Sequence, residues 1–193
     1  MKKQTKIDIK QQDWTGTTTE DRGPYIQTYL GNKFYLFDPR PEDIHIEDIA
    51  HALSNVCRFA GHVSSFYSVS QHSVLVSQNC NIPLYGLLHD AAEAYVHDIT
   101  RPLKYAKGME VYSKIEKQII EIIAQRFNLP LNFSHYPDIK QADILVLITE
   151  ARDLMGDPSW TKEFPFPPLK QKIVPLSPKQ AKKLFWNRWK ELS

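Results

Sequence analysis

Residues 84–95 read Leu84-Tyr85-Gly86-Leu87-Leu88-His89-Asp90-Ala91-Ala92-Glu93-Ala94-Tyr95, so an adjacent histidine and aspartate lie inside an apolar stretch. Apolar side chains recur at steps of three and four residues after Pro83, a residue type that favours the first turn of a helix. The spacing predicts one helix on which His89, Asp90 and Glu93 lean to a common side. Neighbouring imidazole and carboxylate groups can hold a divalent cation, so this helix predicts part of a metal site.

A divalent ion needs further protein ligands, and two other apolar segments supply candidates. His72 lies in residues 66–76, which have a short helical pattern, and Asp143 lies in the aliphatic segment 139–152, where an unpaired charge would be costly. The predicted ligand set is His72, His89, Asp90 and Asp143. The plainer alternative is that the histidines are core residues bonded to backbone carbonyls and that the aspartates cap helices or form salt bridges.

These four residues occur in an order that resembles a known family, the HD-domain metal-dependent phosphohydrolases. The pattern of that family is a histidine, then a His-Asp pair, then a distant aspartate on successive helices. The matching segments are Tyr67-Ser68-Val69-Ser70-Gln71-His72-Ser73, His89-Asp90-Ala91-Ala92-Glu93, Asp98-Ile99-Thr100-Arg101-Pro102-Leu103-Lys104 and Gln141-Ala142-Asp143. Arg58 matches the arginine that these enzymes carry ahead of the first ligand. The resemblance covers roughly residues 41–155 and is closest to the branch with bacterial 5'-deoxynucleotidases and phage-type dATP triphosphohydrolases.

The resemblance implies a divalent metal cofactor (Mn, Co, Zn, Mg or Fe), and two imidazoles with two carboxylates suit such an ion. The resemblance implies one ion per subunit, because binuclear members of the superfamily carry further histidines on separate helices between the His-Asp pair and the last aspartate, and this interval holds only His97 and His135. Glu93 is the expected catalytic residue that orients or deprotonates the attacking water; an exposed helix glutamate is the alternative. Asp98 is the second expected catalytic residue, and capping of a turn is its alternative.

Substrate recognition needs cations that stay charged, and several lie beside the predicted ligands in sequence. Arg58 and Lys104 are the first choices for phosphate contact, followed by Arg101 and, for a longer phosphate chain, Arg152. Each of these side chains could instead be an ordinary surface charge without a role in binding. The set of expected substrate-binding residues is Arg58, Phe59, His62, Arg101 and Lys104. Phe59 could stack on a base or fill the core, and His62 could touch substrate or be solvated in its loop.

The predicted function is therefore a metal-dependent phosphohydrolase of deoxynucleotides. We expect first a dNTP triphosphohydrolase that acts on dATP or another dNTP and releases the deoxynucleoside and triphosphate. The alternative is a 5'-deoxynucleotidase that acts on dNMPs, which would need fewer cations around the phosphate. An alternative of another class is a non-catalytic HD module that binds a nucleotide, although such modules usually lack a ligand or the acid that activates water.

Composition limits the other possibilities. The chain has 193 residues, of which 42% are hydrophobic and 24% charged, with a net charge of +2. This charge is too small to indicate a polynucleotide partner, and no apolar run is long enough to span a membrane. Cys57 and Cys80 lack CxxC spacing, which is typical of reduced thiols in a cytoplasmic protein. The resemblance implies a homo-oligomer, either a dimer or a hexamer.

The fold class expected is mostly α, an HD-domain helical bundle with a small amino-terminal β-hairpin, in a single domain spanning 1–193. Residues 1–20 should form a flexible arm with an anchor at Trp14, and 25–37 should form the hairpin. The HD core occupies 41–155, with helices that begin near Ile46, Tyr67, Leu84, Tyr112 and Asp138. Residues 156–193 should form a proline-rich loop and a last helix that Ser177 caps.

Overall fold

The computed structural model describes residues 22–193, so the predicted arm 1–20 and its anchor Trp14 lie outside the described residues. The described chain is mostly helical and carries one small antiparallel hairpin, as predicted. Within this part of the chain, no helix is both long and apolar enough to cross a membrane. Both cysteines, Cys57 and Cys80, are free.

The hairpin consists of β1 (Ile26–Gln27) and β2 (Lys33–Phe34), with Ile26 opposite Phe34. Gly31 makes the reversal possible, because its φ of +84° lies in the region that favours glycine. The Leu30 backbone N–H donates to Asp48 Oδ1 at 2.8 Å and attaches the hairpin tip to the first helix. This contact compensates for the shortness of the strands, which could not form a stable hairpin alone.

Helices form the rest of the fold, and most of them begin and end near the predicted residues. In chain order they are α1 (Ile46–Asn55), α2 (Val69–Gln78), α3 (Pro83–Leu88), α4 (Glu93–Val96), α5 (Arg101–Lys104), α6 (Glu110–Arg126), α7 (Pro137–Leu154) and α8 (Pro178–Leu192). The Ser177 side chain accepts from the Gln180 N–H at the start of α8, which confirms the predicted cap. Helix α5 was not predicted from the sequence.

The prediction of one helix across residues 84–95 is wrong. Helix α3 ends at Leu88, four residues form a turn, and α4 begins at Glu93. The Glu93 N–H donates to Asp90 O at 2.9 Å, a bond to the carbonyl three residues back that tightens the backbone. The His89 ring contributes to the break, because its Nδ1 lies 2.8 Å from Gly86 O, the carbonyl that the Asp90 N–H would use in a regular α-helix.

Helix α2 lies at the centre of the bundle and contacts α1, α3, α7 and α8. Its serines are buried and bonded to neighbouring backbone: Ser70 Oγ donates to Ala181 O at 3.2 Å, and Ser77 Oγ donates to Pro83 O at 2.8 Å. Small hydroxyl side chains therefore let α3 and α8 approach α2 closely without leaving these polar atoms unpaired. The same burial encloses His72, whose side chain is 0% exposed.

Residues 156–177 cross the surface as the predicted proline-rich loop, interrupted by a 3-10 turn at Ser159–Glu163. Arg152 attaches this loop to α7: its guanidinium donates to the carbonyls of Leu169 and Gln171 and pairs with Asp153. The Ile173 N–H donates to Asp153 Oδ2 at 2.7 Å from the other side. Arg152 thus has a structural role in this conformation.

Helix α3 packs so closely on α2 that there is no room for a side chain at Gly86. A Cβ at this position would lie 2.9 Å from Ser77 Cα and 2.6 Å from Cys80 Sγ, and the backbone contact cannot be relieved by side-chain rotation. We expect Gly86→Ala to lower the free energy of unfolding by about 1–3 kcal/mol, because overpacking outweighs the better helix propensity of alanine. The control is Gly156→Ala, where a Cβ meets nothing within 4 Å and which should change stability by less than about 0.5 kcal/mol. Equal stability of the two variants in urea denaturation would contradict the packing argument.

Candidate metal centre

Three of the four predicted ligands converge in the structure. His72 on α2 and the adjacent pair His89 and Asp90 form a possible metal-binding triad, called the metal triad below, whose potential ligand atoms all lie within 4.8 Å of one another. Asp90 Oδ2 lies 3.1 Å from His89 Nε2 and 3.5 Å from His72 Nε2. The turn after α3 places both residues at the helix end, where they face α2. Two histidine nitrogens and a carboxylate oxygen at this spacing form a possible metal-binding group.

The outer nitrogens of both imidazoles are held by hydrogen bonds. His72 Nδ1 lies 2.7 Å from Glu150 Oε1, and His89 Nδ1 lies 2.8 Å from Gly86 O. A carbonyl oxygen and an ionised carboxylate only accept, so each Nδ1 carries a hydrogen and donates it. Each Nε2 is buried without a hydrogen-bond partner among residues 22–193. These orphaned nitrogens fit a divalent cation, because metal-bound histidines usually donate their other N–H to such an acceptor.

Asp143, the fourth predicted ligand, comes from α7. Its Oδ1 lies 3.2 Å from His72 Nε2, but the two atoms are not oriented for a hydrogen bond. The Asp143 side chain is 25% exposed. Asp143 is not part of the group whose ligand atoms all lie within 4.8 Å of one another. It therefore approaches the metal triad on the His72 side.

The role of Glu150 in the site was not predicted from the sequence. This residue follows Asp143 by seven positions on α7, so the two carboxylates share a helix face, and Glu150 is 0% exposed. Glu150 Oε1 binds His72, and Oε2 accepts from Arg58 Nε at 3.2 Å. The available signal was the two-turn spacing of two acids within one aliphatic helix.

Arg58 is buried and paired with carboxylates on two elements. Besides the bond to Glu150, its Nη1 lies 3.7 Å from Asp90 Oδ2. Burial lowers the pKa of Arg58, but the charges of Glu150 and Asp90 outweigh it, so the guanidinium stays charged. The backbone that follows is strained, since Phe59 and Ala60 have φ of +55° and +50°. Strained backbone of this kind often occurs at functional sites.

Glu93 and Asp98 share the electrostatic environment of the triad. Burial raises the pKa of Glu93 well above its usual value, and the charges of Asp90 and Asp98 raise it further. Burial, together with the Asp90 charge, likewise raises the pKa of Asp98. Glu93 Oε2 is buried without a hydrogen-bond partner in the described part of the chain. His97, next to Asp98, has a φ of +66°, a second strained position beside the site.

The charges of the triad residues are mutually dependent. Burial and the Arg58 charge lower the pKa of His72, but the carboxylates of Glu150 and Asp143 raise it more, to about 9. Burial raises the pKa of Asp90, yet the charges of His89, His72 and Arg58 hold it below its usual value. The carboxylate of Asp90 is therefore ionised at neutral pH, as a metal ligand must be.

The predicted substrate contacts lie at different depths. Lys104 is half-buried and its Nζ donates to Glu116 Oε1 at 2.7 Å, so its charge is already paired. Arg101 at the start of α5 and His62 after the strained turn are exposed. Phe59 is half-buried, with the Arg58 guanidinium carbon 5.5 Å from its ring centroid. Phe59 adjoins the site through Arg58, and Lys104 is near enough that, against the lowering effect of burial, the charges of Glu93 and Asp90 help to raise its pKa.

The fold and the site define a mostly helical protein with a candidate metal centre of two histidines and an aspartate. No family model matches the chain. The chain is 40% identical over 174 residues to the uncharacterized protein YfdR of Escherichia coli strain K12, which covers 88% of this chain and 96% of YfdR. It is also 37% identical over 139 residues to an uncharacterized protein of Rhodobacter capsulatus, covering 65% of this chain and 70% of that protein. The chain therefore belongs to the family of YfdR.

Because Glu150 orients the His72 ring, a substitution at Glu150 tests whether His72 binds a metal. We expect Glu150→Gln to weaken Mn²⁺ binding by about 10- to 100-fold, because the amide no longer fixes the Nδ1–H of His72 as a carboxylate does. Equilibrium dialysis with metal analysis measures this change after circular dichroism has verified folding. Glu191→Gln is the matched control, since this glutamate is exposed on the last turn of α8. Equal affinity in the two variants would argue against His72 as a ligand.

Proposed function

We propose that this protein is an HD-domain metal-dependent phosphohydrolase that acts on deoxynucleotides. The observation that carries the proposal is the pair of buried, unpartnered Nε2 atoms on His72 and His89, both facing the Asp90 carboxylate. Asp143 adds a further carboxylate beside His72. These residues would hold one divalent cation. The order of the four ligands along the chain is that of the HD-domain family, which the sequence resembles.

A bound divalent ion would supply Lewis acidity, which acidifies water and neutralises charge that develops on phosphorus. Glu93 would orient the attacking water and accept its proton, and its unpartnered, buried Oε2 is available for that role. Arg58 would hold Asp90 in place and present positive charge to the phosphate. Asp98 would position the substrate or the water from the strained segment after α4.

The arrangement of cations favours a monophosphate substrate over a triphosphate. Arg58 is paired with Glu150, Lys104 with Glu116, and Arg152 is bonded to the proline-rich loop. A triphosphate carries more negative charge than a monophosphate and would have to displace these partners or rely on exposed cations such as Arg101. The 5'-deoxynucleotidase activity is therefore the form of the proposal that the site supports best, and the dNTP triphosphohydrolase is the second.

A substitution of Glu93 distinguishes an enzyme from a module that only binds nucleotides. We expect Glu93→Gln to lower kcat by about a hundredfold or more, which is the contribution of a typical general base. Mn²⁺ affinity should be retained, because Glu93 is outside the metal triad. The control is again Glu191→Gln, assayed beside it. Full turnover in the Glu93 variant would remove this residue from the mechanism.

Product analysis tests the substrate. The purified protein is incubated with Mn²⁺, Co²⁺ or Mg²⁺ and with each dNTP and each dNMP in parallel, and the products are separated by chromatography. We expect deoxynucleoside and phosphate from dNMPs. Deoxynucleoside and triphosphate from dNTPs would instead establish the triphosphohydrolase. If no metal supported turnover of any of these nucleotides, the proposal of a deoxynucleotide phosphohydrolase would be refuted.

A further inference from the structure

A cleft of about 300 Å³ lies between the hairpin, α1 and α4, apart from the metal triad. Its lining includes Thr28 from the hairpin turn, Asp48 and His51 from α1, and Tyr95 from α4. The volume is at the lower end of the range of small-molecule sites, which runs from about 300 to 1,000 Å³. The cleft is thus large enough for one small ligand.

Three side chains of this cleft carry buried polar atoms that have no hydrogen-bond partner within residues 22–193: Thr28 Oγ1, Asp48 Oδ2 and the Tyr95 hydroxyl. Asp48 is 3% exposed and Tyr95 is 7% exposed. Leaving such a group unsatisfied costs about 1–3 kcal/mol, so three of them from three elements in one cleft require an explanation. A ligand in the cleft that bonds to all three would satisfy them together.

The chemistry of these atoms defines the ligand. A carboxylate oxygen only accepts, whereas the hydroxyls of threonine and tyrosine both donate and accept. Burial and the charges of Asp48 and Asp43 raise the pKa of Tyr95, so its hydroxyl keeps its proton at neutral pH. Ligand hydroxyls, which also donate and accept, match such a set. The apolar side chains of Ile26, Ala52 and Ala94 line the rest of the cleft and suit a less polar part of the same molecule.

The charges around the cleft favour a neutral ligand. Besides the Asp48 carboxylate, the cleft has the positive charge of Lys182 beside it: Lys182 Nζ lies 3.3 Å from His51 Nδ1 and 4.0 Å from the centroid of the Tyr29 ring, and His51 is affected by the charges of both Lys182 and Asp48. Burial and the Lys182 charge lower the pKa of His51, so this imidazole is neutral at pH 7. The rings of Tyr29 and His51 stack with centroids 3.7 Å apart and form an aromatic wall beside the polar atoms.

We propose that this cleft binds a neutral, polyhydroxylated molecule of pentose to nucleoside size through Thr28, Asp48 and Tyr95. The proposal does not depend on the phosphohydrolase function, because none of these residues belongs to the metal triad. Asp48 would accept from a ligand hydroxyl with Oδ2 while its Oδ1 stays bonded to the hairpin tip. Thr28 and Tyr95 would complete the bonds from the hairpin and α4.

The test measures binding of adenosine, 2'-deoxyadenosine and D-ribose to the metal-free protein in EDTA by isothermal titration and saturation-transfer NMR. We expect saturable binding of at least one of these probes. Tyr95→Phe and Asp48→Asn should each weaken it by tenfold or more. Tyr95→Phe removes only an unpartnered hydroxyl, so its melting temperature should equal or exceed that of the unchanged protein.

Phe59→Ala is the matched control, because Phe59 lies beside the proposed catalytic site and could stack on a nucleoside there. Binding that Tyr95→Phe weakens and Phe59→Ala leaves unchanged supports the cleft. Binding that depends on Phe59 and not on Tyr95 assigns the ligand to the catalytic site and overturns the proposal. Absence of saturable binding by all three probes overturns it too and leaves the cleft to solvent, whatever the outcome of the turnover assays.

Discussion

The site depends on one buried carboxylate, that of Glu150. It lies at the core side of α7 with no exposure to solvent, and its two oxygens bind His72 on α2 and Arg58 on the turn after α1. Removing one partner of such a buried pair typically costs about 3–5 kcal/mol, because the other charge is left uncompensated. The same group therefore connects three segments of the core, sets the orientation of His72 and holds Arg58 near Asp90.

The acids around this centre outnumber the cations that pair with them. Asp90, Asp143, Glu93 and Asp98 lie near a single buried arginine, and burial works against the ionised form of each acid. The protein stabilises Asp90 with Arg58 and the two histidines but leaves Glu93 without a hydrogen-bond partner in the described residues. A divalent cation would resolve this imbalance most directly, since it adds two positive charges where the acids converge.

The sequence predicts the long helices well, because α6, α7 and α8 have clear apolar periodicity and recognisable ends. It also predicts the three residues of the possible metal-binding triad, whose residue types stand out in apolar segments, whereas Asp143 lies beside that group and not in it. The break between α3 and α4 was not predictable from periodicity, because a single side-chain bond from His89 to a nearby carbonyl favours it. Spacing along α7 could have drawn attention to Glu150, but its bonds to His72 and Arg58 are tertiary contacts that spacing does not specify, and the same holds for the pairing of Lys104 with Glu116.

Helix α4 is a short element that carries residues facing both the metal triad and the cleft beside the hairpin. Glu93 and Tyr95 are two positions apart, so on a helix with about 100° per residue their side chains leave in nearly opposite directions. Glu93 belongs to the environment of the metal triad, and Tyr95 lines the cleft beside the hairpin. A helix of four residues has little stability of its own, so packing on both sides determines its position. An occupant of the cleft would therefore act on the backbone that carries Glu93.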